Sequence, residues 1–168
     1  MKSDLNGIFP PIPTPFENED IALDKLSDNI QKWNDYPLKG YLALGSNGES
    51  AYLSYDEKLK VVETTVNSAG KNKIIIAGTG LESIKDTIAL TNNCSDLGVN
   101  YALVLTPSYF KSRMTHDAFI SYYTEIADSS ATPEEWRARS RATGVGAASS
   151  MKTRIRLSST VSSPAILR

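Results

Sequence analysis

Short apolar runs alternate with longer segments of helical periodicity along the first 130 residues of the chain. The runs begin near Ile8, Tyr41, Ile74 and Ala102. Their spacing is about 30 residues, the length of one strand–helix unit. The runs do not alternate with polar residues, which is typical of parallel strands buried on both faces of a sheet. The pattern therefore predicts an α/β fold with four βα units.

The segments between the runs carry helix start signals. Asp24 opens the first predicted helix, and Ser54 with Glu57 has the spacing of a capping box at the start of the second. Two further helices are predicted from Ser83 and from about Thr115. Their apolar faces, in chain order, are predicted to be Leu26, Ile30 and Trp33; Leu59, Val62, Val66 and Ala69; Ile84, Ile88 and Thr91; and Phe119, Tyr122, Tyr123 and Ile126.

The opening segment, residues 8–16, is apolar but contains four prolines. Proline cannot donate a ladder hydrogen bond, so the segment is predicted to be a short strand that runs out into a loop. Polar, glycine-rich residues follow the other three predicted strands, at residues 45–50, 78–80 and 106–110. Parallel α/β folds bind small ligands at the carboxyl ends of their strands. These loops predict a site for a small anion, although a plain tight turn would by itself explain residues 45–50.

Composition narrows the class of protein. The 168 residues are 40% hydrophobic and 22% charged, with a net charge of −1, so neither nucleic acid nor a membrane is an expected partner. No apolar run approaches the ~18 residues of a membrane span, and residues 1–7 resemble no targeting peptide, so we expect a cytoplasmic protein. Cys94 and His116 are the single residues of their kinds, so neither a disulfide nor a metal site is expected.

The chain changes character after Ser130. Residues 1–130 carry 11 basic and 17 acidic side chains (net −6), whereas residues 131–168 carry 7 and 2 (net +5). The second stretch is rich in arginine, serine and alanine and has no asparagine. We therefore predict one domain over residues 1–130. Residues 131–168 are predicted to be a separate tail, either disordered or encoded in a different reading frame.

Four motifs together resemble the dihydrodipicolinate synthase / N-acetylneuraminate lyase family, in the order and spacing of that family and over about residues 5–130. They are Thr14-Pro15-Phe16, Gly45-Ser46-Asn47-Gly48-Glu49-Ser50, Ala77-Gly78-Thr79-Gly80 and Thr106-Pro107-Ser108-Tyr109. The Ser46-Asn47 pair, together with Lys111-Ser112-Arg113-Met114, is most similar to the 4-hydroxy-2-oxoglutarate aldolase branch.

The resemblance implies a parallel (β/α)8 barrel of the TIM type, truncated here to about four βα units plus an irregular tail. It also implies class I aldolase chemistry, in which a lysine forms a Schiff base with a 2-oxo acid such as pyruvate and no cofactor is needed. Carried over to this sequence, Ser46 and Asn47 would bind the substrate carboxylate. Tyr109 would act in a proton relay, which crosses a dimer interface in many members. A complete barrel would form the homo-oligomer typical of the family.

The family's Schiff-base lysine and its second relay tyrosine have no counterpart in this sequence. Lys152 follows no apolar strand, and Lys73 precedes a strand and so lies at its amino end. Lys111 lies on a loop near the ligand face, but no strand fixes its position. A (β/α)8 barrel also needs ~250 residues. We therefore expect this chain to be inactive alone.

Two other functions remain open. An open, doubly wound sheet that binds a phosphate-bearing ligand would also account for four βα units. The dinucleotide fingerprint is incomplete, however, because Ser83 stands where its last glycine should be. The second alternative is an interaction protein whose arginine-rich tail contacts RNA or an acidic partner, and its binding would be salt-sensitive.

Overall fold

The computed structural model describes residues 5–130 and the backbone of residues 165–167. The chain divides into two compact units, Met1–Gly78 with Asp96–Asn100, and Thr79–Ser95 with Tyr101–Arg168.

The first unit contains β1 (Phe16–Glu17), β2 (Asp20–Ile21), α1 (Leu23–Trp33), β3 (Gly40–Ala43), two 3-10 turns (Ser46–Gly48 and Ser50–Tyr52), α2 (Tyr55–Ser68) and β4 (Ile74–Gly78). The second contains α3 (Ile84–Asp96, whose last residue falls in the first unit), β5 (Tyr101–Val104), a 3-10 turn (Lys111–Arg113), α4 (His116–Ser129) and β6 (Ala165–Leu167).

In the first unit, β3 and β4 pair in parallel, with Gly40 opposite Ile74 and Ala43 opposite Ala77. The opening segment runs beside β3 on a single parallel bridge between Pro11 and Leu42. Leu42 N donates to Pro10 O and Ile12 N donates to Leu42 O, both over 3.0 Å. The predicted short strand is therefore limited to this bridge, because the prolines supply no N–H for a longer ladder.

The hairpin of β1 and β2 is a feature that the hydrophobic pattern did not predict. Phe16 pairs with Ile21 and Glu17 with Asp20 in antiparallel register. The two turn residues, Asn18 and Glu19, both have positive φ (52° and 71°). The strands are too short to show any alternation of apolar and polar residues, which is why the pattern is silent here.

The helices of the first unit begin close to where their signals predict. Leu26 and Ile30 of α1 are fully buried, as expected. Ser54 caps α2: its hydroxyl accepts from Glu57 N over 3.3 Å, and Ser54 N donates to Glu57 Oε2 over 2.7 Å. The predicted capping box is confirmed.

The buried face of α2 differs from the predicted one. Its buried residues are Lys58, Val61, Val62 and Thr65. Leu59 and Val66, which the apolar pattern places at its centre, are only half-buried. The buried face includes Lys58, whose side chain lies inside the unit and whose amino group donates a hydrogen bond to Leu53 O. Long lysine stems can cover apolar surface in this way.

The second unit is built around β5 and α4. Its core is a cluster of Ala102, Val104, Tyr122, Tyr123 and Ile126, against which Ile84 and Ile88 of α3 pack. The prediction for α4 is confirmed for its two tyrosines and Ile126, whereas Phe119 is half-buried.

The last helix, α4, ends at Ser129, and the proposed division into a domain over residues 1–130 and a tail over residues 131–168 stays a prediction. Within the predicted tail, β6 pairs antiparallel with β5, with Ala165 opposite Val104 and Leu167 opposite Ala102. Sequence analysis predicts no strand there. The other residues of the tail, 131–164 and 168, lie outside the described residues, so its proposed disorder or altered frame stays a prediction.

Candidate active site

The loop that follows β3 exposes the two predicted carboxylate-binding side chains. Residues 45–50 fold into the two 3-10 turns, and Gly48 N donates to Gly45 O over 3.0 Å. Gly45 and Gly48 are buried, whereas Ser46 and Asn47 are exposed. Glu49, between the turns, has a left-handed backbone with φ 53° and ψ 32°. The loop therefore exposes two consecutive residues with polar side chains after the carboxyl end of β3.

A buried threonine holds this loop in place. Thr14 Oγ1 donates to Gly48 O over 2.7 Å, and Thr14 is buried. A Cβ added to Gly48 would come within 3.0 Å of Ile12 O, so the loop lies directly on the opening segment. Two of the four motifs, Thr14-Pro15-Phe16 and residues 45–50, therefore form one structural feature of the first unit.

Gly78 serves close packing of the backbone. A Cβ at this position would lie 2.3 Å from Leu44 O. Leu44 itself is buried and has φ 57°, a conformation that is uncommon for a residue with a side chain. The glycine is thus required for the approach of β4 to the end of β3.

Thr79 and Gly80 play a similar packing role in the second unit. Thr79 is 0% exposed, its Oγ1 accepts from Thr91 Oγ1 over 2.8 Å, and its N–H donates to Leu103 O over 3.1 Å. A Cβ on Gly80 would lie 2.3 Å from Leu105 N. The motif Gly78-Thr79-Gly80, predicted to be part of a ligand loop, turns its threonine side chain into the core instead.

Tyr109 lies on the turn between β5 and α4, in the second unit. Its side chain is 79% exposed and packs edge-on against Phe110, with ring centroids 4.9 Å apart. Ser46 and Asn47 belong to the first unit. The predicted relay tyrosine is therefore at the surface of its unit, with a phenol accessible to solvent.

Glu82 organises the turn that carries Tyr109, and sequence analysis did not single it out. Its Oε1 accepts from Ser108 N and Ser108 Oγ, both over 3.0 Å. Its Oε2 accepts from Ser108 N and Tyr109 N, both over 3.1 Å. The backbone hydrogen bond from Ser108 is the main cause that lowers the pKa of Glu82 below its ordinary value. No local pattern reveals this contact, because it joins residues 26 positions apart.

The lysines that sequence analysis considered are placed as follows. Lys73 precedes β4, and its amino group donates to Tyr36 O and Leu38 O, each over 3.0 Å. Lys111 is exposed on the last 3-10 turn, and Lys152 lies outside the described residues. Lys73 therefore lies at the amino end of β4, whereas Lys111 lies on the exposed connection between β5 and α4 and not on a strand.

Lys58 is the lysine whose burial the sequence did not reveal. It is 9% exposed, and burial lowers the pKa of its amine. A lowered pKa favours the neutral amine that Schiff-base chemistry needs, but this amine lies on α2 and donates to Leu53 O. Its contact with a backbone carbonyl supports a role in packing.

The part of the chain that the structure describes offers no group of three side chains suited to a metal ion. Burial raises the pKa of the Cys94 thiol to about 12. His116 is exposed at the first position of α4. Among the helices of residues 5–130, none is long and apolar enough to cross a membrane.

Comparison with known proteins gives a consistent picture. The model of the dihydrodipicolinate synthetase family matches residues 4–135. The 4-hydroxy-tetrahydrodipicolinate synthase of Methanococcus aeolicus is 34% identical over 125 residues, which cover 74% of this chain and 43% of the relative.

Solved structures agree with these sequence matches. The 4-hydroxy-tetrahydrodipicolinate synthase of Methylacidiphilum fumariolicum SolV is similar with a TM-score of 0.70 and 30% identity, over 76% of this chain and 42% of that one. The N-acetylneuraminate lyase of Mycoplasma synoviae has the same fold, with a TM-score of 0.70 at 23% identity, over 77% of this chain and 45% of that one.

These neighbours are TIM-barrel enzymes, and the chain spans less than half the length of the relatives it matches. The α/β class with parallel strand pairing is confirmed, whereas the truncated (β/α)8 barrel stays a prediction. The match to the family ends close to the predicted domain boundary at residue 130. By its motifs, its family match and its fold, the chain belongs to the dihydrodipicolinate synthetase family.

Proposed function

We propose that this chain carries the substrate-carboxylate site of a pyruvate-dependent Schiff-base aldolase, a lyase that cleaves or forms a carbon–carbon bond of a 2-oxo acid. The observation that carries the proposal is the loop after β3, where Ser46 and Asn47 are exposed between two buried glycines. Family membership supports the same chemistry.

Ser46 and Asn47 would bind the carboxylate through their side chains. A serine hydroxyl donates one hydrogen bond and an asparagine amide donates two, which suits an anion with two acceptor oxygens. Within the described residues, neither side chain has a hydrogen-bond partner that would have to be displaced. Thr14 keeps the loop in shape through its bond to Gly48, so less conformational entropy is lost on binding.

Tyr109 would act as a proton relay. A phenol can both accept and donate a hydrogen bond, so it can pass a proton between substrate and solvent or another side chain. Its exposed position leaves it free to meet a substrate or a second copy of the chain.

The chain alone is proposed to be inactive. Lys111 lies on an exposed turn with no strand to position it, and the amine of Lys73 already donates to two carbonyl groups. A complete barrel, the homo-oligomer of the family, a cytoplasmic location and the 4-hydroxy-2-oxoglutarate aldolase branch stay predictions. No cofactor is required by the proposed chemistry.

The structure supports this function over the phosphate-binding alternative. A phosphate loop needs accessible donors, whereas the side chain of Thr79 is buried and bonded to Thr91. The alternative that invokes the arginine-rich tail concerns residues outside the described part of the chain.

The carboxylate site is tested by titrating pyruvate against the purified chain and following backbone amide signals. Ser46→Ala and Asn47→Ala should each weaken binding by at least about tenfold, because a charge-assisted hydrogen bond contributes ~1.5–3 kcal/mol. Asn67→Ala, at an exposed asparagine of α2, is the matched control and should bind as the parent does. No saturable response to pyruvate, or equal affinity in all three variants, would contradict the site.

The proposed inactivity is tested by trapping. The chain is incubated with pyruvate and cyanoborohydride, which reduces any Schiff base to a stable amine, and its peptides are mapped by mass spectrometry. We expect only the scattered surface labelling that the heat-denatured chain also shows. Stoichiometric labelling of one lysine in the native chain would overturn the proposal and identify the nucleophile.

A further inference from the structure

We propose that Glu82 is a positioning residue for Tyr109: its carboxylate clamps the turn of Ser108 and Tyr109 and thereby aims the phenol. The inference rests on the proposed role of Tyr109 in the proton relay. Nothing in the four motifs assigns a role to Glu82, and its contact with the turn is visible only in the folded chain.

The turn depends on this carboxylate because it has little else to hold it. Ser108, Tyr109 and Phe110 are all exposed, the two aromatic side chains by 79% and 66%. Within the described residues, the hydrogen bonds of Ser108 and Tyr109 all go to Glu82. A carboxylate that accepts backbone N–H bonds makes charge-assisted bonds, roughly twice as strong as neutral ones.

The backbone that precedes Glu82 is held by hydrogen bonds to buried side chains. The preceding residue, Leu81, has both of its backbone groups bonded: its N–H donates to Thr87 Oγ1 over 3.0 Å, and its carbonyl accepts from Tyr122 Oη over 3.0 Å. Thr87 and Tyr122 are buried in the second unit. A series of hydrogen bonds therefore links the buried residues Thr87 and Tyr122, through the backbone at Leu81 and Glu82, to the backbone of Tyr109.

The carboxylate of Glu82 forms no ion pair within the part of the chain that the structure describes. The charged and titratable side chains of the neighbouring elements are Lys85, Asp86 and Asp96 on α3, Lys111 and Arg113 on the following turn, and His116, Asp117, Tyr122, Tyr123, Glu125 and Asp128 on α4. No ion pair joins any of them to Glu82 among the described residues. The titratable group that Glu82 acts on is Tyr122, whose pKa is raised mainly by burial, with an added contribution from the Glu82 charge.

Protonation of Glu82 should therefore release the turn. A neutral carboxyl loses the charge assistance of its bonds to Ser108 and Tyr109. Because the hydrogen bonds hold the pKa of Glu82 below its ordinary value of 4.5, release should occur below that pH. At neutral pH the ionised carboxylate of Glu82 holds the turn of Ser108 and Tyr109.

The experiment follows the amide signals of Ser108 and Tyr109, and the ring signal of isotope-labelled tyrosine, in the full chain from neutral to acidic pH. We expect the two amides to titrate together, with one midpoint below the ordinary glutamate value, and the Tyr109 side chain to change there from one rotamer to several. In Glu82→Gln this transition should vanish, and hydrogen exchange at both amides should be about tenfold faster at neutral pH. Glu125→Gln, at an exposed glutamate of α4, is the control and should keep the transition.

The outcomes separate positioning from mere stabilisation. If Glu82 only stabilised the unit, Glu82→Gln would shift signals throughout the unit, and in the parent chain the rotamer of Tyr109 would not change with pH. Independent titration of the two amides in the parent chain would also overturn the proposal, and this measurement needs no variant to fold. Pyruvate binding is measured on the same samples, so failure of the carboxylate site shows as absent binding with the clamp transition intact.

Discussion

The Tyr41 hydroxyl donates a hydrogen bond to Asn34 Oδ1 over 2.9 Å, which joins β3 to the end of α1. The same oxygen accepts from Gly70 N over 3.0 Å, and Asn34 Nδ2 donates to Ser68 O over 2.9 Å. Tyr41 is buried, and this burial raises the pKa of its phenol. One side chain thus ties together α1, β3 and the end of α2 in the first unit.

Replacing Asn34 should therefore be costly. Asn34→Ala leaves the Gly70 N–H, the Ser68 carbonyl and the Tyr41 hydroxyl without this partner, and we expect a loss of about 2 kcal/mol in the free energy of unfolding. Tyr41→Phe removes one bond only and should cost about 1 kcal/mol. Urea unfolding measures both. Asn67→Ala, at the exposed asparagine of α2, should stay within ~0.5 kcal/mol, and an equal loss there would contradict the role of Asn34.

The capping box of α2 should make stability depend on pH. The hydrogen bonds with Ser54 are the main cause that lowers the pKa of Glu57 from its ordinary value of 4.5. A lowered folded pKa means that the carboxylate stabilises the fold above the unfolded pKa, and that this stabilisation is lost as the pH falls through the folded pKa. In Glu57→Gln, this part of the acid dependence should be absent.

Urea unfolding at a series of pH values measures that dependence. Glu63→Gln, at an exposed glutamate of the same helix, should retain it. Ser54→Ala should cost about 1 kcal/mol at neutral pH through the lost cap. Identical acid dependence in the parent and in Glu57→Gln would show that the box does not couple to folding.

Cys94 should be protected from thiol reagents. It is 1% exposed, and burial raises the pKa of its thiol to about 12, so little thiolate exists at neutral pH. We expect labelling of the native chain to be at least about a hundredfold slower than labelling of the chain unfolded in urea. A Cys94→Ala chain that also carries Ser121→Cys, at an exposed position of α4, should react rapidly while folded. Comparable rates in native and unfolded parent chain would contradict this burial.

Gly80 should not tolerate even a methyl group. A Cβ there would lie 2.3 Å from the backbone nitrogen of Leu105, and no rotamer change can relieve a contact with backbone. Gly80→Ala should lower the free energy of unfolding by about 2 kcal/mol. Gly70→Ala, where the nearest atom to the new Cβ would be 3.4 Å away, is the control and should be close to neutral. Thermal and urea unfolding compare the two, and equal stability would show that β5 can shift.

Local signals in the sequence were sufficient for much of the fold. The capping box of Ser54 and Glu57 and the buried residues Leu26 and Ile30 were predicted because each depends on neighbours within one or two helical turns. The unbroken apolar run at Ile74 likewise predicted a strand with parallel pairing. These features need no knowledge of the rest of the chain.

Features that depend on distant residues could not be predicted in this way. The buried position of the Lys58 side chain depends on the carbonyl group of Leu53, which only the folded chain places beside it. A hydrophobic pattern assigns a charged residue to the exposed face, so it cannot predict this burial. Glu82 meets Ser108 across 26 positions. In the motif Gly78-Thr79-Gly80, glycine is equally suited to ligand approach and to close packing, and only the geometry at Leu44 and Leu105 distinguishes the two.

The approach of Gly78 to the carbonyl of Leu44 restricts sequence variation at these two positions for different reasons. Position 44 contributes a backbone oxygen, which every amino acid carries, so exchanging its side chain does not by itself remove the approach. Position 78 contributes the absence of a Cβ, and no other amino acid offers that. The close approach therefore fixes position 78, whereas position 44 is restricted separately, by the burial of its side chain and by its φ of 57°.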